Sequence, residues 1–115
     1  IGPRAVSVMK ETFHSQPRDL VAAIGPSIGP KDYEVDDRVR NAAPGYEAFF
    51  IQTRPHHYLM DLWHLNAAML QKAGIPTNQI YLAGVSTFSS DHYFSYRRDH
   101  GRTGRLAAIL FQRGR

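Results

Sequence analysis

Cysteine is absent from this 115-residue chain. Disulfides and thiolate metal sites are therefore excluded within it, and the redox compartment stays open. Long apolar runs are also missing. No stretch approaches the roughly 20 residues needed to cross a bilayer, and nothing resembles the basic start and small-residue cleavage site of a secretory signal. A membrane partner is thus not expected, and cytoplasmic is the default location. There is no initiator methionine either. The chain opens Ile1-Gly-Pro-Arg4, so Ile1 is not expected to be the natural start. Acidic residues are scarce near the other end, where Arg97, Arg98, Arg102, Arg105, Arg113 and Arg115 face only Asp99. That balance suits an anionic ligand such as phosphate and also permits nonspecific nucleic-acid contact.

What is present describes one ordinary globular domain. Hydrophobic residues at 43% and charged residues at 21% allow a modest core and argue against disorder. A helix is expected over Pro3 to Phe13, with Ala5, Val8, Met9 and Phe13 on one face and Pro3 in the first turn. Leu20 to Ile24 has strand length and runs into the Gly25 to Pro30 loop. A short helix is expected over Asp36 to Ala43, ended by Pro44-Gly45. Strands are expected at Phe49 to Gln52 and His57 to Met60. Asp61 reads as the N-cap of a helix to about Ala73, burying Leu62, Leu65, Met69 and Trp63, with Gly74 at its end. Gln79 to Ala83 and Leu106 to Phe111 read as further strands. The fold class is α/β (α+β), with a mixed β-sheet flanked by helices in layers.

Two constellations invite chemistry. His57, Asp61 and His64 stand at i, i+4 and i+7 with His56 adjacent, a spacing that could ligate zinc on one helix face. A helix starting at Asp61 breaks that face, so an N-cap with two surface histidines is the preferred reading. The second is Tyr93 to Arg105, where four arginines, two glycines and three aromatic rings occupy thirteen residues. Arginine's planar fork matches phosphate oxygens in pairs. Glycines at 101 and 104 allow tight turns that bring backbone amides toward a ligand. Aromatics among arginines would also suit single-stranded nucleic acid.

The order of residues narrows this. Phe94-Ser-Tyr-Arg-Arg-Asp99 with Thr103-Gly-Arg105 resembles the C-terminal signature of the YfiH/YlmD family, also called laccase-domain or polyphenol oxidase proteins and regarded as purine nucleoside phosphorylases. The resemblance continues through Ala23-Ile-Gly-Pro-Ser-Ile-Gly-Pro30, Tyr33-Glu-Val35, Tyr58-Leu-Met-Asp-Leu-Trp63 and Gly84-Val-Ser-Thr-Phe88. It implies that residues 1–115 are the C-terminal portion of a domain of about 240 residues, a length compatible with one domain. It also implies a sheet covered by helices on both faces. The zinc or copper of the intact protein would be held by two histidines and a cysteine upstream of Ile1, and no metal ligand is expected in this chain. Many members carry cysteines where Lys31, Asp32 and Ser86 stand, and these three cannot bind Cu(I) as thiolates do.

The implied activity is metal-dependent phosphorolysis of adenosine or inosine, with adenosine deamination and phenol oxidation as further activities of the family. The implied partners are a purine nucleoside, phosphate and the missing N-terminal half. Homo-oligomerisation or domain exchange would follow from the core that half leaves uncovered. Arg97, Arg98 and Arg105 match the family's arginine positions and are the anion-handling candidates, with Arg102 ranked below them. Asp99 is expected to orient an arginine rather than act as a base. Ser27 offers a hydroxyl from the Gly-Pro loop, whose alternative role is that of a rigid turn. Tyr33, Phe94 and Tyr96 could stack on a purine. Core burial is the commoner fate of such rings and is expected here, with Tyr96 kept as a candidate contact. Glu34 could transfer a proton only if it lines the site, and His92 and His100 are read as bystanders. The rival reading is a non-catalytic anion- or nucleic-acid-binding module built on residues 93–105.

Overall fold

Helix α1 (Gly2–Phe13) begins around Pro3 and stops where His14 turns left-handed, φ 56°, returning its N–H to the Met9 carbonyl. The structure, a computed structural model, describes residues 1–114. Arg115 lies outside the described residues. The expected apolar face of α1 is not the one it buries. Val6 is the buried residue, while Ala5, Val8 and Phe13 are exposed. The reason is the docking partner: Gly2 meets Leu70 of the later helix, which turns the Val6 side inward.

Strands β1 (Ala22–Ile24) and β5 (Ile80–Leu82) pair in parallel, Ala23 opposite Tyr81. Strands β2 (Glu34–Asp36), β3 (Phe50–Arg54) and β4 (His57–Met60) form an antiparallel sheet in the order β2-β4-β3. The α/β class with parallel and antiparallel pairing therefore holds, with the two pairings in separate sheets. Strand β2 was not expected. Three residues with acids at both ends carry no β-branched run, and the antiparallel ladder to β4 supplies the order that local propensity does not.

Helix α2 (Asp37–Asn41) is shorter than expected because Asp36 is its cap, the carboxylate accepting from the Val39 N–H at 3.1 Å. Helix α3 (Leu62–Lys72) starts as expected, with Asp61 accepting from the His64 N–H at 3.1 Å. It ends at Ala73, followed by Gly74. Leu65 is buried on it, and Leu62, Met69 and Trp63 are half-buried. Leu65 joins Val35, Phe50 and Met60 in the main core, with Tyr33, Tyr58, Leu62 and Met69 packed around them. α3 thus lies against α1, β1 and β5 while sealing the antiparallel sheet.

The expected strand over Leu106 to Phe111 is not formed. Leu106, Ile109, Leu110 and Phe111 are 49%, 88%, 99% and 76% exposed, and the segment has no ladder partner among the described residues. An apolar run becomes a strand only when an edge receives its backbone groups. The surface as a whole tells the same story. It measures 8740 Å² for 13.0 kDa, against about 6,300 Å² for a compact monomer of that mass.

Candidate functional site at the C-terminal ends of the parallel strands

Both parallel strands run into loops at the same end, the usual location of ligand sites in α/β sheets. The Gly25 to Pro30 loop and the Gly84 to Ser90 loop are stitched together there. Ala83 N–H donates to the Ile24 carbonyl at 2.9 Å, Ser27 N–H to Val85 at 3.3 Å, and Thr87 N–H to Ser27 at 3.1 Å. The Ser86 hydroxyl accepts from the Gly29 N–H at 3.0 Å and donates to Asp32 Oδ2 at 2.6 Å. Gly29 is required by this approach, since an added Cβ would fall 2.9 Å from Ser86 Cβ and 3.2 Å from the Trp63 ring. Trp63, projecting from α3, donates its indole N–H to Ser27 Oγ at 2.8 Å. The Gly-Pro loop is thus held from two sides, by α3 and by the loop after β5.

The arginine segment closes over these loops through Arg98. Its Nε and Nη2 donate to the two Asp99 carboxylate oxygens at 3.0 and 3.1 Å. Nη1 donates to the carbonyls of Thr87 and Ser90 at 2.9 and 2.7 Å, and Nη2 also to Tyr93 at 2.9 Å. A guanidinium has five N–H groups, and all five are used. The bond from Arg98 holds the Asp99 carboxyl below the usual aspartate range, and the same bond raises Arg98. Asp99 orients an arginine, as expected. Arg98, expected to handle an anion, has all five donors engaged within the protein and ties the loops together.

Its neighbours differ. Arg97 donates once, Nη1 to the Glu34 carbonyl at 2.9 Å, and lies 5.3 Å over the Tyr33 ring. Arg105 lies 5.5 Å over the Tyr96 ring, which is a cation–π contact. Tyr96 packs within 3.2 Å of the position a Cβ would take on Gly101, whose φ of 84° also disfavours any side chain there. The core role expected for Phe94 and Tyr96 is overturned: they are 54% and 64% exposed. The segment that carries them lies on the surface rather than inside a sheet sandwich. Tyr33 does pack against the core.

A cleft of about 400 Å³ results, lined among others by Ser27, Tyr33, Thr87, Ser95, Tyr96 and Arg97, with Phe94 and Leu106 at its walls. Of the expected site residues, the structure brings Ser27, Tyr96 and Arg97 into one cleft. Arg105 reaches it only through Tyr96, and Arg98 lies behind it. Thr87, Ser95 and Trp63 stand in the family motifs but receive no site role from the sequence, because their side-chain neighbours are known only from the fold. Glu34 does not line this cleft; Arg54 donates to its carboxylate at 2.8 Å and holds it below the usual glutamate range.

The histidine spacing does not make a metal site. Asp61 is occupied as the α3 cap and receives His64 Nδ1 at 2.7 Å, while His57 Nδ1 pairs with the Pro55 carbonyl at 3.0 Å. Among the described residues no three His, Asp or Glu side chains converge on a point.

Residues 1–113 match the family described as multi-copper polyphenol oxidoreductase laccase. The chain belongs to that family. Its relatives include the purine nucleoside phosphorylase YlmD of Geobacillus stearothermophilus, 39% identical over 106 residues, with 87% of this chain and 39% of the relative covered. The Bacillus subtilis YlmD is 36% identical over 115 residues, covering 96% of this chain and 41% of the relative. Among solved structures, YlmD from Geobacillus stearothermophilus superposes with a TM-score of 0.85 at 36% identity, over 90% of this chain and 41% of the other. The Bacillus licheniformis hypothetical protein YfiH superposes with a TM-score of 0.84 at 35% identity, with the same coverage of each chain. The chain therefore spans about two fifths of the length of the relatives it matches. The family description names copper, and the residues described here do not fit such a group: cysteine is absent and no ligand cluster forms.

Proposed function

We propose that residues 1–115 are the C-terminal portion of a larger cytoplasmic domain and furnish the nucleoside- and phosphate-binding side of a metal-dependent purine nucleoside phosphorylase. The observation that carries this reading is the cleft joining Ser27, Tyr96 and Arg97 at the carboxyl ends of β1 and β5, together with relatives named purine nucleoside phosphorylase. Phosphorolysis forms a bond from a phosphate oxygen to the anomeric carbon as the C–N bond to the purine breaks. The electron pair leaves on the purine nitrogen, which takes up a proton. This chain's part is to hold the phosphate on Arg97 and the Ser27 hydroxyl, and the base against Tyr96 and Phe94. Zinc or copper, with histidine and cysteine ligands, would be held by the remainder of the domain. In the full-length protein Arg97→Ala should raise the KM for phosphate by at least about tenfold, the worth of one charge-assisted bond. Release of hypoxanthine from inosine, followed at varied phosphate, measures it. An unchanged KM would remove Arg97 from the site.

A second reading rests on the exposed rings. Phe94 and Tyr96 beside Arg97 and Arg105 could stack single-stranded bases while the arginines meet the backbone. Such binding would weaken steeply with added salt as counterions are released. A nucleoside cleft would instead saturate with little salt dependence.

A further inference from the structure

We infer that Ser27, Thr87 and Ser95 form with Arg97 a donor-rich oxyanion subsite, in which the Trp63 indole and the Arg98 backbone N–H orient the two serine hydroxyls. The inference rests on the phosphate-binding reading above and names the residues that would perform it. All four side chains line the same cleft, and no carboxylate lines it among the described residues. A hydroxyl carries one proton and accepts through its lone pairs. Ser27 Oγ accepts the Trp63 indole N–H at 2.8 Å, and Ser95 Oγ accepts the Arg98 backbone N–H at 3.3 Å. Neither serine proton has a protein acceptor among the described hydrogen bonds, so each remains available to a ligand. Ser86 is the contrast, because its hydroxyl both accepts from Gly29 and donates to Asp32 and so is spent.

Burial strengthens the case. Ser95 is 5% exposed and Thr87 is 7% exposed. Ser95 Oγ finds its partner in the Arg98 N–H and still has its proton to give. With the two serine protons, the Thr87 hydroxyl and the Arg97 guanidinium lining one cleft, and no carboxylate beside them among the described residues, the subsite is rich in donors. It should take a tetrahedral oxyanion without requiring the ligand to donate.

Sulfate has no proton to give at neutral pH, yet it should compete with phosphate within about threefold, because nothing in the subsite asks for a donated bond. Inorganic phosphate is the probe, titrated calorimetrically into the full-length protein with and without sulfate. Ser27→Ala and Ser95→Ala should each weaken phosphate about tenfold, as expected for one hydrogen bond to a charged group. Trp63→Phe should weaken it several-fold alone but add nothing in the Ser27→Ala background, since it acts through that hydroxyl. Unchanged circular dichroism and melting of Ser95→Ala and Ser27→Ala separate binding loss from unfolding; if either variant melts early, Thr87→Val supplies the same measurement. Phosphate binding that is lost on Arg97→Ala but indifferent to the serines, or that excludes sulfate, overturns the subsite and leaves the phosphorylase reading standing. No phosphate binding by the unaltered protein overturns both. Displacement of sulfate by a single-stranded oligonucleotide but not by phosphate would transfer the subsite to a nucleic-acid backbone and equally overturn it.

Discussion

Arg98 and Arg97 are adjacent in the chain and unalike in use. Arg98 has every N–H engaged by Asp99 and three backbone carbonyls, whereas Arg97 makes one hydrogen bond among the described residues and leaves the rest of its fork without a partner there. Composition cannot tell the two apart, because the difference lies in which carbonyls the fold points toward them. A pH test follows from Asp99. Its folded carboxyl titrates below the ordinary value, about 3.9 for a free aspartate, chiefly through the bond from Arg98. The stabilisation is therefore fully present above that value and is lost as pH falls through the lower folded one. The Arg98 Nε resonance should stay constant from neutrality to about pH 4 and change below it. Asp99→Asn should show the changed signal already at pH 7. An Arg98 signal indifferent to that substitution would remove Asp99 from the clamp.

Helix α3 is the element that ties the core to the site. Leu65 on it is 4% exposed within the main core, Leu62 lines the cleft, and Trp63 reaches Ser27. Leu65→Ala should cost about 2–5 kcal/mol by leaving a cavity among Val35, Phe50 and Met60, measured by urea unfolding. Phosphate binding should then weaken only to the extent that the fold is lost. Much of α3 is legible in advance: Asp61, the apolar spacing and Gly74 are local signals that the structure follows. α1 is legible in extent but not in orientation. Its buried side depends on Leu70, some sixty residues away in sequence, and no periodicity within α1 contains that information. β2 is invisible locally because its order comes from β4.

At the scale of the molecule, apolar surface remains open. Val21 and Tyr81 at the parallel pair are 68% and 59% exposed, and Ile109 to Phe111 stand almost free. The radius of gyration is 15.9 Å, against about 13 Å for a compact chain of this length. Unpaired strand edges beside apolar side chains invite association. The chain of residues 1–115 alone should therefore self-associate with rising concentration in sedimentation velocity. Leu110→Lys with Phe111→Lys should shift it toward monomer while leaving the α3 core intact. A monomer at every concentration would argue that this surface needs no cover.

The family, the α/β class, the capped helix α3 and the concentration of basic residues near Arg97 all depend on local order and spacing, and each can be read along the chain. The division of labour among Arg97, Arg98 and Arg105 cannot. Neither can the exposure of Phe94 and Tyr96, nor the meeting of Ser27 with Trp63. These depend on contacts between segments dozens of residues apart, and a donor's role is set by whichever acceptor the folded chain places in front of it.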